Sequence, residues 1–355
     1  MEKGNHSAPL GIKEIAKKAN VSIGTVDRVI HGRPGVSKKT KEKIDAIINE
    51  LGYQPNLIAR RLASKKLIRL ATLTPKVPGE TAYWEVLLNG IKQAEAEIES
   101  YGVRIEQYFF DQNDKSSFDR QAAALLDSGV DGVVLTPIFI EESTRFTEAC
   151  SAINVPCVFI NSDIPHVDSL CYIGPNLYQS GYLAAHLINY LTQPNDKVLV
   201  LNISKELEHF HYTLRKEEGF RAYFQDNKKP MGIVKADIRK TDYESVKSEV
   251  SALLEAHRDI KVIFVTNSRV STVAQFLKTL EQKAAIVVGY DFLPDNIEHL
   301  KQGTIDFLIC QKPQEQAYRG VMALYQYLAF AAKVEEVTFM PIDIITRENY
   351  SSYRN

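Results

Sequence analysis

From Leu67 onward the sequence alternates short apolar runs with longer amphipathic segments, and this alternation restricts the possible folds more than any other feature. LIRLATL, RIEQYFF, DGVVLTP and VPCVFIN are separated by helix-capable stretches at 83–101, 116–129 and 141–153. After Tyr172 the pattern resumes with 177–191, KVLVLNI, 215–225, MGIVKAD, 243–256, KVIFVT, 270–280, AIVVGYD, 296–302, DFLIC and 314–331. Near-continuous apolar strands between helices predict parallel sheets covered on both faces. There are too many units for one modest sheet. The expected fold class is therefore α/β, with two doubly wound parallel sheets and a cleft where their strand C-termini face each other.

The first 66 residues have a different texture. Residues 12–19, IKEIAKKA, form one amphipathic stretch, Asn20 breaks it, and Ser22 can cap a second helix running to Ile30. The 3.6-residue period places Val26, Val29 and Ile30 on the side that packs. Ile23, Gly24, Asp27, Arg28 and His31 fall on the opposite side, an unusual set for an ordinary surface helix. Small and apolar tips with one Arg are what a DNA major groove admits and reads, so the pair is a helix-turn-helix candidate. Ser37 can cap a third helix whose stripe is Ile44, Ile47, Ile48 and Leu51 and whose start holds Lys38, Lys39, Lys41 and Lys43. Lysines there oppose the helix dipole, a cost that a phosphate backbone would offset. Residues 56–66 follow as a basic segment too short to be a stable helix alone, and thus a natural switch between head and body.

Charge agrees with this division. The net charge is −1, yet residues 1–66 hold 14 Lys and Arg against 6 Asp and Glu, and residues 67–355 hold 29 against 38. A basic head on an acidic body implies that the head alone meets a polyanion. Cys150, Cys157, Cys171 and Cys310 have no paired spacing and read as buried free thiols of a reducing compartment. The N-terminus lacks an apolar signal core and no apolar run is long enough to span a bilayer, so a cytoplasmic protein is expected, with no membrane partner. His209 and His211 could ligate a metal if placed on a strand, but no further ligand is suggested nearby; neither metal nor cofactor is expected. No nucleophile elbow, P-loop or dinucleotide fingerprint is present, so the chain is not expected to be an enzyme.

Ligand-binding groups should gather at the strand ends, which carry Tyr83 and Trp84, Asp111-Gln112-Asn113, Asn161-Ser162-Asp163, Asn267, Asp291 and Gln311. Carboxylates and amides suit the paired donor and acceptor demands of vicinal hydroxyls, and aromatic rings suit the C–H face of a sugar. Singly, such residues are ordinary turn and cap residues; as a converging set they point to a small polyhydroxylated ligand. The nearest enzyme alternative is a sugar-processing catalyst using Asp111 with Asp291. A sugar-binding protein without gene control is the other alternative.

In residue types and spacing, IKEIAKKANVSIGTVDRVIHGRPGVSKKTKEKIDAIINELGYQPNLIARRLAS resembles the head of the lactose-repressor/galactose-repressor family of bacterial transcription regulators. The body resembles the ribose-binding type of sugar-binding periplasmic protein through YWEVLLNGIKQAEAE, DSGVDGVVLTP, NVPCVFINSD, YIGPNLYQSGYLAA, VGYDFLPDN and CQKPQEQAYRGV. The resemblance implies a head at 1–54, a hinge-helix linker at 55–66 and a body at 67–355. The body's first lobe would take about 67–175 and 312–340, and its second about 176–311 and 341–355. It implies base reading by Ile23, Gly24 and Arg28, and phosphate contacts by Ser22 and Thr25. In the linker it implies a minor-groove wedge at Leu62 with Ala59 alongside, flanked by Asn56 and Arg60. In the cleft it implies an aromatic clamp of Tyr83 and Trp84. Hydroxyl partners would be Asn161, Asn267, Asp291 and Gln311; Asp111 and Asp163 would also belong to the effector site, with Arg215 or Lys216, and of these two Arg215, in the place of a family arginine. The implied function is a homodimeric regulator of a pseudo-palindromic operator, switched by a sugar-like effector.

Overall fold

A computed structural model describes residues 11–30, 33–51, 53, 67–77, 81–205, 211–280 and 285–355. The chain divides into two compact units, Met1–Lys65 and Lys66–Asn355.

The first unit contains helices α1 (Ile12–Ala19), α2 (Ile23–Ile30) and α3 (Lys38–Leu51). Asn20 ends α1 in the left-handed conformation at φ 55°, a position Asn tolerates better than most residues. Ser22 then caps α2, its Oγ accepting the Thr25 N–H at 3.1 Å, and Ser37 caps α3 by accepting the Thr40 N–H at 3.2 Å. Ile15, Ala16 and Ala19 of α1, Val26 and Val29 of α2, and Ile44 and Ile47 of α3 form one buried cluster. The Lys43 ammonium donates to the Ala19 carbonyl at 2.9 Å, tying α3 to an orphan acceptor at the end of α1.

The second unit contains two six-stranded sheets. The strands are β1 (Ile68–Pro75), β2 (Val103–Phe110), β3 (Gly132–Leu135), β4 (Cys157–Ile160), β5 (Cys171–Gly174), β6 (Lys197–Ile203), β7 (Gly232–Ile238), β8 (Ile260–Val265), β9 (Ile286–Tyr290), β10 (Phe307–Cys310), β11 (Val337–Phe339) and β12 (Asp343–Ile345). The first sheet has the order β11-β5-β4-β3-β1-β2, all parallel. The second has the order β12-β10-β9-β8-β6-β7, parallel except for the antiparallel β10–β12 pair. In each sheet the order reverses around the first strand, β1 or β6. Open α/β sheets bind ligands outside such switch points.

The strands β3, β4 and β5 are buried along their whole length, which accounts for their unbroken apolar sequence. Short strands β5, β11 and β12 have no periodicity of their own and are defined by their sheet neighbours. Helix Leu177–Leu191 starts at Asn176, whose side chain accepts the Gln179 N–H at 3.0 Å. The chain crosses from the first sheet to the second after β5, returns after β10 through helix Pro313–Phe330, and crosses again between β11 and β12. All four cysteines are free and buried. Among the described residues, no helix is long and apolar enough to cross a membrane.

Candidate functional site

Two surfaces concern function, one in each unit. On the head, Ile23 is 45% exposed although Ile is an apolar residue, and Gly24 and Arg28 are exposed beside it. Thr25 is half-buried and Ser22 exposed, their hydroxyls 2.9 Å apart at the start of α2. The Arg28 guanidinium makes no ion pair among the described residues, whereas Asp27 on the same helix meets Arg33 at 3.2 Å. His31, Asn56, Ala59, Arg60 and Leu62, and with them the linker helix, lie outside the described residues, as does His209.

In the body, a cleft of about 600 Å³, counted to its open mouth, is lined from both lobes. The first lobe contributes Thr81, Tyr83, Trp84, Gln112 and Asn161; the second contributes Leu177, Ser204, Tyr212, Lys216, Asn267, Ser268, Arg269, Asp291 and Gln311. Thr81 Oγ1 and Ser268 Oγ meet across it at 3.2 Å. The Tyr83 and Trp84 rings pack edge to face with centroids 5.0 Å apart. Tyr83 donates its phenol to Asn161 Oδ1 at 2.5 Å, and the Trp84 indole N–H donates to Gln112 Oε1 at 2.9 Å. Both aromatic side chains of the wall are thus held in place by neighbouring amides.

Asn161 follows β4 and Asp291 follows β9, the fourth strand of each sheet in chain order. Both adopt left-handed backbone, at φ 71° and 75°, a conformation uncommon for residues with a Cβ and enriched at functional positions. Asp291 is buried and accepts from Gln311 Nε2 at 3.0 Å. Its backbone carbonyl accepts from Asn296 Nδ2 at 2.9 Å, and Gln316 Nε2 donates to the Gln311 carbonyl at 2.6 Å. Asn267 Nδ2 donates to the Ile203 carbonyl at 2.8 Å, holding the ends of β6 and β8 together.

The charges sit on the second lobe. Burial pushes the Asp291 carboxyl up to about 6, against the field of Lys216 and the Gln311 hydrogen bond, which pull it down. Burial likewise pushes Lys216 down to about 8, opposed by Asp291. Burial thus disfavours the charged form of each group relative to water. The Asp291 penalty is therefore full above about 6 and fades as pH falls toward the ordinary carboxylate range; that of Lys216 is full below about 8 and fades as pH rises. In a Lys216→Met variant the Asp291 midpoint should rise above about 6, because the ammonium that lowers it is gone. Carbon-13 NMR titration of the Asp carboxyls would read this; an unmoved midpoint would mean that the two charges do not interact.

Tyr83, Trp84, Asn161, Asn267, Asp291 and Gln311, all expected from strand ends, share this lining. Three other expectations are corrected. Asp111 is not on the lining: its carboxylate lies 2.7 Å from Lys76 Nζ and accepts the Asn113 N–H at 2.9 Å, while the next residue, Gln112, reaches the cleft. The Asp111–Asp291 pair nominated for catalysis is consequently not assembled there. Asp163 stands past the turn at Asn161–Ser162, off the lining, and its charge is felt at Tyr172. Arg215 points away, 2.5 Å from Glu218 and over the Tyr178 ring; the buried cation is its neighbour Lys216.

Helical periodicity could have chosen between the two: Lys216 shares the inward stripe of helix His211–Asp226 with Phe220 and Tyr223, and Arg215 does not. Thr81, Leu177, Ser204, Tyr212, Ser268 and Arg269 also line the cleft without having been expected. They lie in connections or helix starts, where composition carries little signal. Among the described residues no cluster of His, Cys, Asp and Glu could hold a metal ion.

Comparison with known proteins joins the two surfaces. Residues 71–332 match the periplasmic binding protein domain family, and residues 11–56 match bacterial regulatory proteins of the lacI family. Catabolite control protein A of Staphylococcus aureus is 28% identical over 159 residues, 45% of this chain; the chain thus spans less than half, 46%, of that relative's length. The ribose operon repressor of Halalkalibacterium halodurans is 26% identical over 293 residues, covering 81% of this chain and 78% of that protein. A crystal structure of a candidate LacI transcriptional regulator from Bacteroides fragilis superimposes with a TM-score of 0.77 at 27% identity, covering 81% of this chain and 100% of that one. The chain belongs to the periplasmic binding protein domain family through its body, and its head matches the lacI family of bacterial regulatory proteins.

Proposed function

We propose that the chain is a sequence-specific DNA-binding transcriptional regulator whose operator affinity is switched by a small polyhydroxylated ligand in the interlobe cleft. The observation that carries this reading is one chain holding both a helix with Ile23, Gly24 and Arg28 exposed and a cleft walled by fixed aromatic and amide groups. The relatives named as a catabolite control protein and a ribose operon repressor favour gene control over a binding protein or an enzyme. In this reading residues 1–54 are the head, 55–66 the linker and 67–355 the body. The protein works as a homodimer on pseudo-palindromic DNA, in the compartment that holds the DNA and without a cofactor. Ligand alters the relation between the lobes and hence the spacing of the paired linkers. This requires different ligand affinity in the DNA-bound and free states.

Selection of binding sites from a random duplex library should enrich a two-half-site pseudo-palindrome; no enrichment above non-specific binding would overturn the reading. Leu62→Ala should weaken operator binding while leaving ligand affinity nearly intact, because the wedge belongs to the linker and the ligand to the cleft. Anisotropy with labelled operator reads the first. Fluorescence reads the second, since Trp84 is the single tryptophan of the chain and lines the cleft. Equal loss of both would sink this division of labour.

A further inference from the structure

We infer that the cleft takes an anionic sugar derivative, with the carboxylate or phosphate seated on the Lys216 ammonium of the second lobe. This rests on the ligand-switched reading above and specifies its ligand. Lys216 is only 3% exposed, and it lines the cleft. Its ammonium has three donors. Among the described residues its one hydrogen bond is a long contact of 3.5 Å to the Thr266 carbonyl. Two rings lie near it, Tyr290, whose centroid is 3.7 Å from Nζ, and Tyr212 at 5.9 Å, and the Asp291 charge acts on it from beyond contact. No carboxylate oxygen of a described residue lies within 4.0 Å of it, the distance that defines an ion pair. A buried charge is sustained by an opposite charge and by filled hydrogen bonds, and here both are incomplete.

The rest of the lining does not supply what is missing. Asp291 is the only carboxylate among the described lining residues, it makes no contact with Lys216, and one of its oxygens already accepts from Gln311 at 3.0 Å. Among the described residues the first lobe offers only neutral groups: two aromatic rings, two amides and a hydroxyl. A neutral sugar would fill hydrogen bonds and leave the Lys216 ammonium without an anion in contact. An anionic sugar would do both, its ring against Tyr83 and Trp84 and its charged end on the second lobe. Lysine is a point charge that takes either a carboxylate or a phosphate, so the shared chemistry is the anion.

The test uses the full-length protein near neutral pH, following Trp84 emission and the melting temperature. D-Glucuronate, D-galacturonate, D-glucose 6-phosphate and D-ribose 5-phosphate are titrated beside D-glucose, D-galactose and D-ribose. At least one anionic compound should bind about tenfold or more tightly than its neutral counterpart, the factor expected of one charge-assisted hydrogen bond. Binding by uronates alone would assign a carboxylate, and by the phosphorylated sugars alone a phosphate. Lys216→Gln should erase the preference by weakening the anion and sparing the neutral sugar, and Lys216→Arg should restore most of it. A neutral sugar binding as tightly as its anionic counterpart in the parent protein would overturn the anionic inference and leave the polyol cleft standing. So would an anion preference that survives in a folded Lys216→Gln variant. If no compound changes either signal, the polyol cleft itself falls, and this inference with it. The parent comparison decides the matter even if the glutamine variant does not fold.

Discussion

Replacing Gly181 by alanine should destabilise the body by about 3 kcal/mol, the upper range for overpacking a well-filled interior. A Cβ at Gly181 would stand 1.8 Å from the Lys216 carbonyl oxygen and 2.6 Å from its carbon. The facing position is equally tight, a Cβ at Gly219 meeting the Tyr178 carbonyl oxygen at 1.9 Å. Both obstacles are backbone, so no side chain can turn aside. Helices Leu177–Leu191 and His211–Asp226 would have to separate, opening the cluster of Ala184, Ala185, Ile188, Phe220 and Phe224 that they share. The intrinsic gain of alanine over glycine within a helix, about 1 kcal/mol, offsets only part of this. Urea unfolding followed by circular dichroism would measure the change. The same substitution bears on function, because the backbone it strikes belongs to Lys216; any folded fraction should bind ligand less well than the parent. A variant as stable as the parent would show that the two helices can separate at little cost.

The sequence made some of this arrangement readable and hid the rest for identifiable reasons. KVLVLNI and KVIFVT announce buried parallel strands because both faces of β6 and β8 are covered, so no polar alternation interrupts them. β5, β11 and β12 are only three or four residues long and exist because a neighbouring edge offers hydrogen bonds, a property no local window contains. In the cleft, Asn161 and Asp291 were readable because polar residues ending apolar strands must turn or bind, and they do the first in left-handed backbone. Asp111 met the same criterion and failed it, since Lys76 lay close enough to take its carboxylate. That pairing spans a loop and depends on the tertiary path. Lys216 was obscured by a one-residue ambiguity with Arg215 that only the helix phase resolves. On the head, the capping hydroxyls of Ser22 and Ser37 and the packing stripe were legible because both are local.

Arg28→Ala should weaken binding to the selected operator by about 1–3 kcal/mol, roughly ten- to a hundredfold, and should relax the preference for one base pair in each half-site. The guanidinium is exposed on α2, engages no ion pair among the described residues and stands on the face that carries Ile23 and Gly24. An Arg so placed can give a bidentate pair to guanine, while the Ile23 tip can meet a thymine methyl. The α3 lysines supply the contrast. Lys39 and Lys41 are exposed near the start of α3. Replacing either should weaken specific and non-specific duplex alike and flatten the plot of log affinity against log salt by about 0.9, the loss of one phosphate contact. Competition between operator and random duplex across a salt series separates the two roles. If Arg28→Ala lowers both affinities equally and reduces the salt slope, Arg28 grips the backbone, and sequence reading passes to Ile23, Gly24 and the deformability of the operator.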